Sequence, residues 1–205
     1  MRRLIVAAFV MLSLLAPLCA RADTVEAAGV KFDTVAEVAG QKLQLNGAGV
    51  RYKFVIKVYA AGLYLAAKAT TTEAVIAMPG PKRLHIVALR DLDGNELGKL
   101  FYKGMESNTT REEFIKAVNG VLKIGELFGA KKELRKGESF TVDYTPGVGT
   151  VVLINGTRVG DVIKEPEFYN AFLHVWLGPN PPDSQLKTKL LAGAGKNSNS
   201  NGGSN

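Results

Sequence analysis

Few side chains in this 205-residue sequence offer reactive chemistry, and their types narrow the options quickly. Histidine occurs only at His85 and His174, and the single cysteine is Cys19, close to the N-terminus. Zinc sites take three or four imidazole, thiolate or carboxylate ligands at convergent spacing. Two isolated histidines, each flanked by apolar residues, suit the core or the edge of a cleft instead. Gly47-Ala48-Gly49 begins like a dinucleotide loop, but Tyr52 stands where the third glycine belongs and strand-type residues follow where a helix is needed. Asp91-Leu92-Asp93-Gly94 begins like a calcium loop, yet Glu96 occupies the glycine position and no glutamate closes the loop. There is no P-loop, and no serine sits in a nucleophile elbow. Covalent catalysis is disfavoured, and no metal or cofactor is expected.

What remains is a small polar set among apolar neighbours: Arg51, Tyr59 and Tyr64 in one stretch, Tyr102 and Asn108 in another. A guanidinium stays charged and donates through a planar fork, which suits a carboxylate or an enolate oxygen. The competing reading of Arg51 is a surface arginine bridging a strand end.

The elements that must position these groups begin with residues 45–65, LNGAGVRYKFVIKVYAAGLYL. Gly47-Ala48-Gly49 reads as a bend with Arg51 just past it. A long strand pair follows, interrupted only by Lys53 and Lys57. Gly62 marks a bulge or a close backbone approach. Ahead of this stretch, residues 30–38 and 41–45 read as two strands. Residues 71–78 form a short helical pattern stopped by Pro79-Gly80-Pro81, and residues 82–89 form a strand. A turn at residues 91–95 starts a helix toward Ser107. Thr110 and Glu113 make a capping box for a helix with Phe114, Ala117, Val121 and Phe128 on one face. Its interior Gly120 and Gly125 either weaken it or allow close packing. Residues 139–144 and 150–154 alternate as strands, and Asn155-Gly156 is a type I′ hairpin signal leading to a strand at 158–163. Residues 167–177 (EFYNAFLHVWL) and 183–191 are helical. Hairpins outnumber βαβ units, so the class is α+β, an antiparallel sheet with helices layered on one face.

At the N-terminus, Arg2 and Arg3 precede an apolar run from Leu4 to Leu15 and small residues around Ala20 and Ala22. This is the pattern of a secretory signal peptide over residues 1–22, cleaved after Ala20 or Ala22. Its apolar run is short of the ~20 residues a membrane span requires, and Leu18 ahead of Cys19 speaks against lipidation. Cleavage would leave no cysteine, so the domain at 23–193 must stand on its hydrophobic core. Residues 194–205 form a polar, low-complexity tail expected to be disordered. Removing Arg2, Arg3 and Arg21 leaves 23 basic residues against 19 acidic ones, a charge of +4. The lysines are scattered, whereas nucleic-acid binding needs a concentrated basic face. A periplasmic or secreted protein, without a membrane span after cleavage and without a nucleic-acid partner, is expected.

The segments GAGVR and VYAAGLYL, with an aromatic residue several positions before Asn108, resemble the chalcone isomerase fold family. The C-terminal half agrees: SFTVDYTPGVGTVVLINGTRVGDVI, EFYNAFLHVWLG and PPDSQLKTKLL are similar to bacterial exported chalcone-isomerase-like proteins. The resemblance spans about residues 30–191. It implies a chalcone isomerase-like open-faced sandwich with a ligand cleft between sheet and helices. The family holds enzymes that cyclise chalcones, non-catalytic fatty-acid-binding relatives, and bacterial proteins of obscure role. In the enzymes an arginine helps to activate the substrate, a threonine and a tyrosine hold the ketone oxygen, and an asparagine with a second hydroxyl residue positions the other ring.

Carried onto this chain, the arginine falls on Arg51 and the asparagine on Asn108. The threonine falls on Tyr59, the tyrosine on Phe101 (on Tyr102 if the helix slips by one), and the second hydroxyl position near Val175. Each lost donor is worth roughly 10²–10³ in rate, so binding outlasts catalysis in this comparison. The resemblance therefore implies a non-catalytic protein that binds a small amphipathic carboxylate or fatty acid. Its expected ligand-binding residues are Arg51, Tyr59, Tyr64, Phe101, Tyr102, Asn108 and Val175. The alternatives are an intramolecular lyase of chalcone isomerase type using Arg51, Tyr59, Tyr102 and Asn108, and a structural protein whose cleft is filled by its own side chains. A filled cleft would leave Arg51 to a carboxylate such as Asp143 or Glu106.

Overall fold

The computed structural model describes residues 23–193; the expected signal peptide and polar tail lie outside them. Seven strands form one sheet in which every neighbouring pair is antiparallel. Two short strands precede it, β1 (Thr24–Ala27) and β2 (Val30–Asp33). The sheet takes β3 (Val35–Val38), β4 (Gln41–Lys53), β5 (Ile56–Leu65) and β6 (Lys82–Ala88). A two-residue strand β7 (Leu92–Asp93) pairs with β8 (Glu133–Leu134) outside it. The sheet is completed by β9 (Ser139–Thr145), β10 (Gly149–Ile154) and β11 (Thr157–Ile163). Its order is β11-β10-β9-β6-β5-β4-β3. The helices are α1 (Thr72–Ala77), α2 (Gly94–Asn108), α3 (Arg111–Lys131), α4 (Pro166–Leu177) and α5 (Ser184–Leu190).

Local chemistry explains the boundaries. Asp93 caps α2 by accepting from the Glu96 N–H, so the apparent calcium loop is a helix start. Thr110 and Glu113 cap α3 reciprocally. Asn155 and Gly156 both take positive φ, +50° and +77°, as a type I′ turn requires.

All five described helices bury their apolar residues in one core with one face of the sheet, where Trp176, Phe128, Phe140 and Phe172 are almost fully buried. The opposite face carries a smaller core. There the β1–β2 hairpin lays Phe32 over Leu43, Leu45, Ala60 and Tyr64. Strand β5 is covered on both sides from Val58 to Leu65, which is why its sequence is apolar without alternation.

Two expectations are corrected. Residues 30–38 form two strands, because the chain leaves one pairing (β1 with β2) at Asp33 and enters another (β3 with β4) at Val35. Gly47-Ala48-Gly49 is not a bend but the interior of β4, which continues to Lys53. The glycines are there because α5 crosses the strand in contact with its backbone. A Cβ on Gly47 would collide with the Lys189 carbonyl, and one on Gly49 would sit 2.7 Å from the Lys189 Cβ. Gly62 serves the same end on the other face, where a Cβ would meet the Phe32 ring at 2.6 Å.

Between Leu45 and Gly47 the register slips by one residue, leaving Asn46 without a partner on β5. Leu43 and Leu45 face the small core, and after the slip Gly47, Gly49 and Arg51 face the helices. A bulge reverses the parity of everything beyond it. Asn46 is fully buried and holds the bulge in place. Its amide donates to the Ala69 and Leu190 carbonyls at 2.9 and 2.7 Å, and its oxygen accepts the Ala69 N–H at 2.8 Å.

Candidate functional site

Past the bulge, Arg51 pairs in register with Tyr59, and both side chains lie on the helix side. The guanidinium carbon sits 5.5 Å from the centre of the Tyr59 ring. Its Nε is buried without a hydrogen-bond partner among the described residues. None of the ion pairs among those residues involves Arg51. Asp143, one of the carboxylates considered for it, holds Arg83 instead through two bonds of 2.6 Å.

Arg51 and Tyr59 form the floor of a pocket of about 160 Å³. One wall is α2, where Leu97, Phe101 and Gly104 recur at helical spacing, with Leu100 and Lys103 nearer the mouth. The other is α4, through Val175 and Trp176, and the rim is the segment with Asn180 and Pro182. The Trp176 indole donates to the Tyr59 hydroxyl at 2.7 Å, which fixes the phenol in place. Burial pushes the Tyr59 phenol above its ordinary range, and the Arg51 cation offsets only part of this. Tyr59 is thus a neutral hydroxyl at physiological pH, able to hydrogen-bond but poorly suited to act as a base. Gly104 lets α2 approach α4, since a Cβ there would stand 2.9 Å from a Val175 methyl.

Of the residues expected at the site, the structure gathers Arg51, Tyr59, Phe101 and Val175 around one pocket. Tyr64 is on the other side of the sheet, in the small core with Phe32. It stands five residues from Tyr59 on the same strand, and odd separations face opposite ways. Burial beside Asp33 pushes its phenol up to about 12. Tyr102 points away from the pocket and packs edge-on against Phe114, with ring centres 5.4 Å apart. Asn108 works behind the rim: its side-chain oxygen accepts the Asn180 N–H at 2.6 Å and its amide donates to the Asn180 and Gly104 carbonyls. The His174 ring in turn contacts the Asn108 carbonyl at 2.9 Å. His85 bonds Thr141 at 2.7 Å on the Phe32 side.

Trp176 is the residue that sequence reasoning missed. The WLG segment was visible, but nothing local said that the indole would reach across to Tyr59. Leu97 and Gly104 were missed as well, although their helical spacing with Phe101 along α2 carried the signal.

The class of protein so defined is an open-faced α+β sandwich with an arginine-floored pocket between its sheet and its helices. Residues 24–192 match the family model described as chalcone isomerase-like, and the chain belongs to that family. The fold is similar to that in the crystal structure of a fatty-acid binding protein of Arabidopsis thaliana, with a TM-score of 0.64. The likeness covers 82% of this chain and 96% of the plant chain at 15% identity. No curated protein matches the sequence.

Proposed function

We propose that this protein binds, without catalysis, an amphipathic carboxylate such as a fatty acid, with Arg51 anchoring the head group. The observation that carries this reading is the buried, unpartnered Arg51 Nε at the floor of an apolar pocket. The guanidinium is half-buried, and its enclosed Nε–H lacks an acceptor among the described residues. An unsatisfied buried donor is costly, and a carboxylate received by the guanidinium fork would satisfy it. The Tyr59 hydroxyl, already accepting from Trp176, keeps a proton to donate to the second carboxylate oxygen. The fatty-acid binding of the Arabidopsis structural neighbour agrees with this choice of ligand.

Catalysis has weaker support. On the resemblance, the neutral Tyr59 takes the position of the enzymes' threonine, and Phe101 brings no hydroxyl.

The pocket's about 160 Å³ compares with the ~150 Å³ engineered cavity that takes a benzene, well below the ~300–1,000 Å³ of drug-sized sites. This favours, as a second reading, a cleft closed by its own side chains. Under the binding reading an alkyl tail must leave along the mouth, displacing the half-exposed Leu100.

Gentle purification, denaturation and mass spectrometry of the organic extract separate the two. Fatty acids that co-purify with the wild type and are absent from Arg51→Ala support binding. An empty extract, together with no uptake of added palmitate, would leave the closed cleft. We further propose that the protein is exported, as in the bacterial proteins it resembles. Its location would be periplasmic or extracellular, with the mature chain starting after Ala20 or Ala22. N-terminal sequencing of the protein recovered from a cell fraction outside the cytoplasm tests this.

A further inference from the structure

The turn between β4 and β5 exposes six consecutive residues, Tyr52-Lys53-Phe54-Val55-Ile56-Lys57. Phe54 and Val55 at its tip are each 91% exposed, and Ile56 is 47% exposed. Large apolar side chains grouped on a protruding tip are unusual on a soluble surface and mark an interaction site. Phe54 also takes φ +57° at the first loop position of a two-residue hairpin, where glycine or asparagine is relaxed. The fold gains nothing from the phenyl ring it carries at this strained position. The base of the tip is nevertheless held firmly: the Tyr52 N–H donates to Asp183 at 2.8 Å, tying the end of β4 to the N-terminus of α5.

We propose that this hairpin tip docks the protein on an anionic lipid surface. The charge pattern selects that partner. Lys53 and Lys57 flank the apolar tip, one on each strand, and neither forms an ion pair among the described residues. An apolar tip buried at the acyl boundary with ammonium groups one step behind it, level with the phosphates, matches the layering of a membrane interface. A neutral apolar partner would leave both lysines without purpose. The tip inserts without spanning; no described helix is long and apolar enough to cross a membrane. Tyr52, Phe54 and Val55 share a surface hollow with Asn180 and Pro182, and the last two also form the rim of the arginine pocket. Docking therefore sets the pocket mouth beside the lipid. The inference rests on the tip alone and holds whether or not the pocket takes a carboxylate.

The test is co-sedimentation of the chain beginning at Asp23, which contains every described element and both cores, with two kinds of vesicle. One is phosphatidylcholine alone and the other a phosphatidylcholine–phosphatidylglycerol mixture. Binding to the mixed vesicles is expected, weakening as salt rises. Phe54→Gly with Val55→Ser should lower it about tenfold or more, in keeping with the lost apolar area. Glycine relaxes the φ of the turn, so this variant should melt no earlier than the wild type. Lys53→Gln with Lys57→Gln should abolish the preference for the anionic mixture. In Phe54→Trp, the emission that moves to shorter wavelength on adding mixed vesicles should be that of the new indole. Wild-type protein left in the supernatant with both vesicles, or equal sedimentation of the Phe54→Gly/Val55→Ser variant, would overturn the proposal. A dimer in vesicle-free solution that this variant loses would assign the tip to a second copy, and would equally overturn it.

Discussion

Arg51 and Tyr59 stand directly opposite each other on β4 and β5, the guanidinium carbon 5.5 Å from the ring centre, and together they floor the pocket. Neither is at its ordinary solvation: the arginine keeps a buried donor unpartnered, and burial raises the phenol. If the pocket takes a carboxylate, Arg51→Ala should weaken binding at least tenfold, ~1.4 kcal/mol. Arg51→Lys should recover only part of this, because an ammonium cannot supply the planar fork. Trp176 is the only tryptophan in the chain and lies in the pocket wall, so its fluorescence in a palmitate titration reports the outcome.

The glycines of β4 and α3 should respond to alanine with opposite signs. Gly47→Ala forces a methyl into the Lys189 carbonyl and should destabilise the fold by about 1–3 kcal/mol or more. Gly125→Ala meets open space inside a helix and should stabilise by up to ~1 kcal/mol. Urea denaturation midpoints of both variants, measured side by side, test the pair.

Asn46 should be among the least replaceable polar residues outside the pocket. Asn46→Leu leaves the buried Ala69 N–H and the Ala69 and Leu190 carbonyls without their partner. An unsatisfied buried group costs about 1–3 kcal/mol, so a loss of several kcal/mol is expected. Loss of cooperative melting, or a large drop in its midpoint, would agree; a midpoint within a degree or two of wild type would not.

Acid should destabilise the protein partly through Glu138. The Arg135 N–H, Lys131 and Asn155 hold its carboxylate, lowering its pKa from 4.5 to about 2. Between those values the unfolded chain binds the proton and the folded chain does not, so stability rises with pH through this window. The contribution is whole above about 4.5 and disappears as pH falls toward about 2. Glu138→Gln should be less stable than the wild type at pH 7 and show a shallower acid slope. Denaturant midpoints across that range measure both.

Much of the fold was legible along the chain because its determinants are local. The capping box at Thr110 and Glu113, the Asn155-Gly156 turn and the aspartate start of α2 each act within four residues, and each appears where its chemistry requires. The site was legible in part. Arg51 and Tyr59 were found, while Tyr64 could have been set aside by counting alone, being an odd number of residues from Tyr59 on one strand. Tyr102 and Phe101 are neighbours on α2, and only the direction of that helix relative to the sheet decides which of them meets the pocket.

By itself, the sequence determined the class of the fold, the order of its longer strands and helices, and the presence of a lone arginine in an apolar stretch. These follow from periodicity, capping and turn chemistry, which are set by near neighbours. Tertiary structure alone decided that Gly47-Ala48-Gly49 is a strand under α5, because the colliding atoms belong to Lys189, far along the chain. It decided that Trp176 holds Tyr59, and that a bulge at Asn46, fastened to Ala69 and Leu190, turns Arg51 inward. A one-residue slip in strand register leaves composition unchanged yet reverses every side chain beyond it, so which face Arg51 serves was settled only when distant segments met.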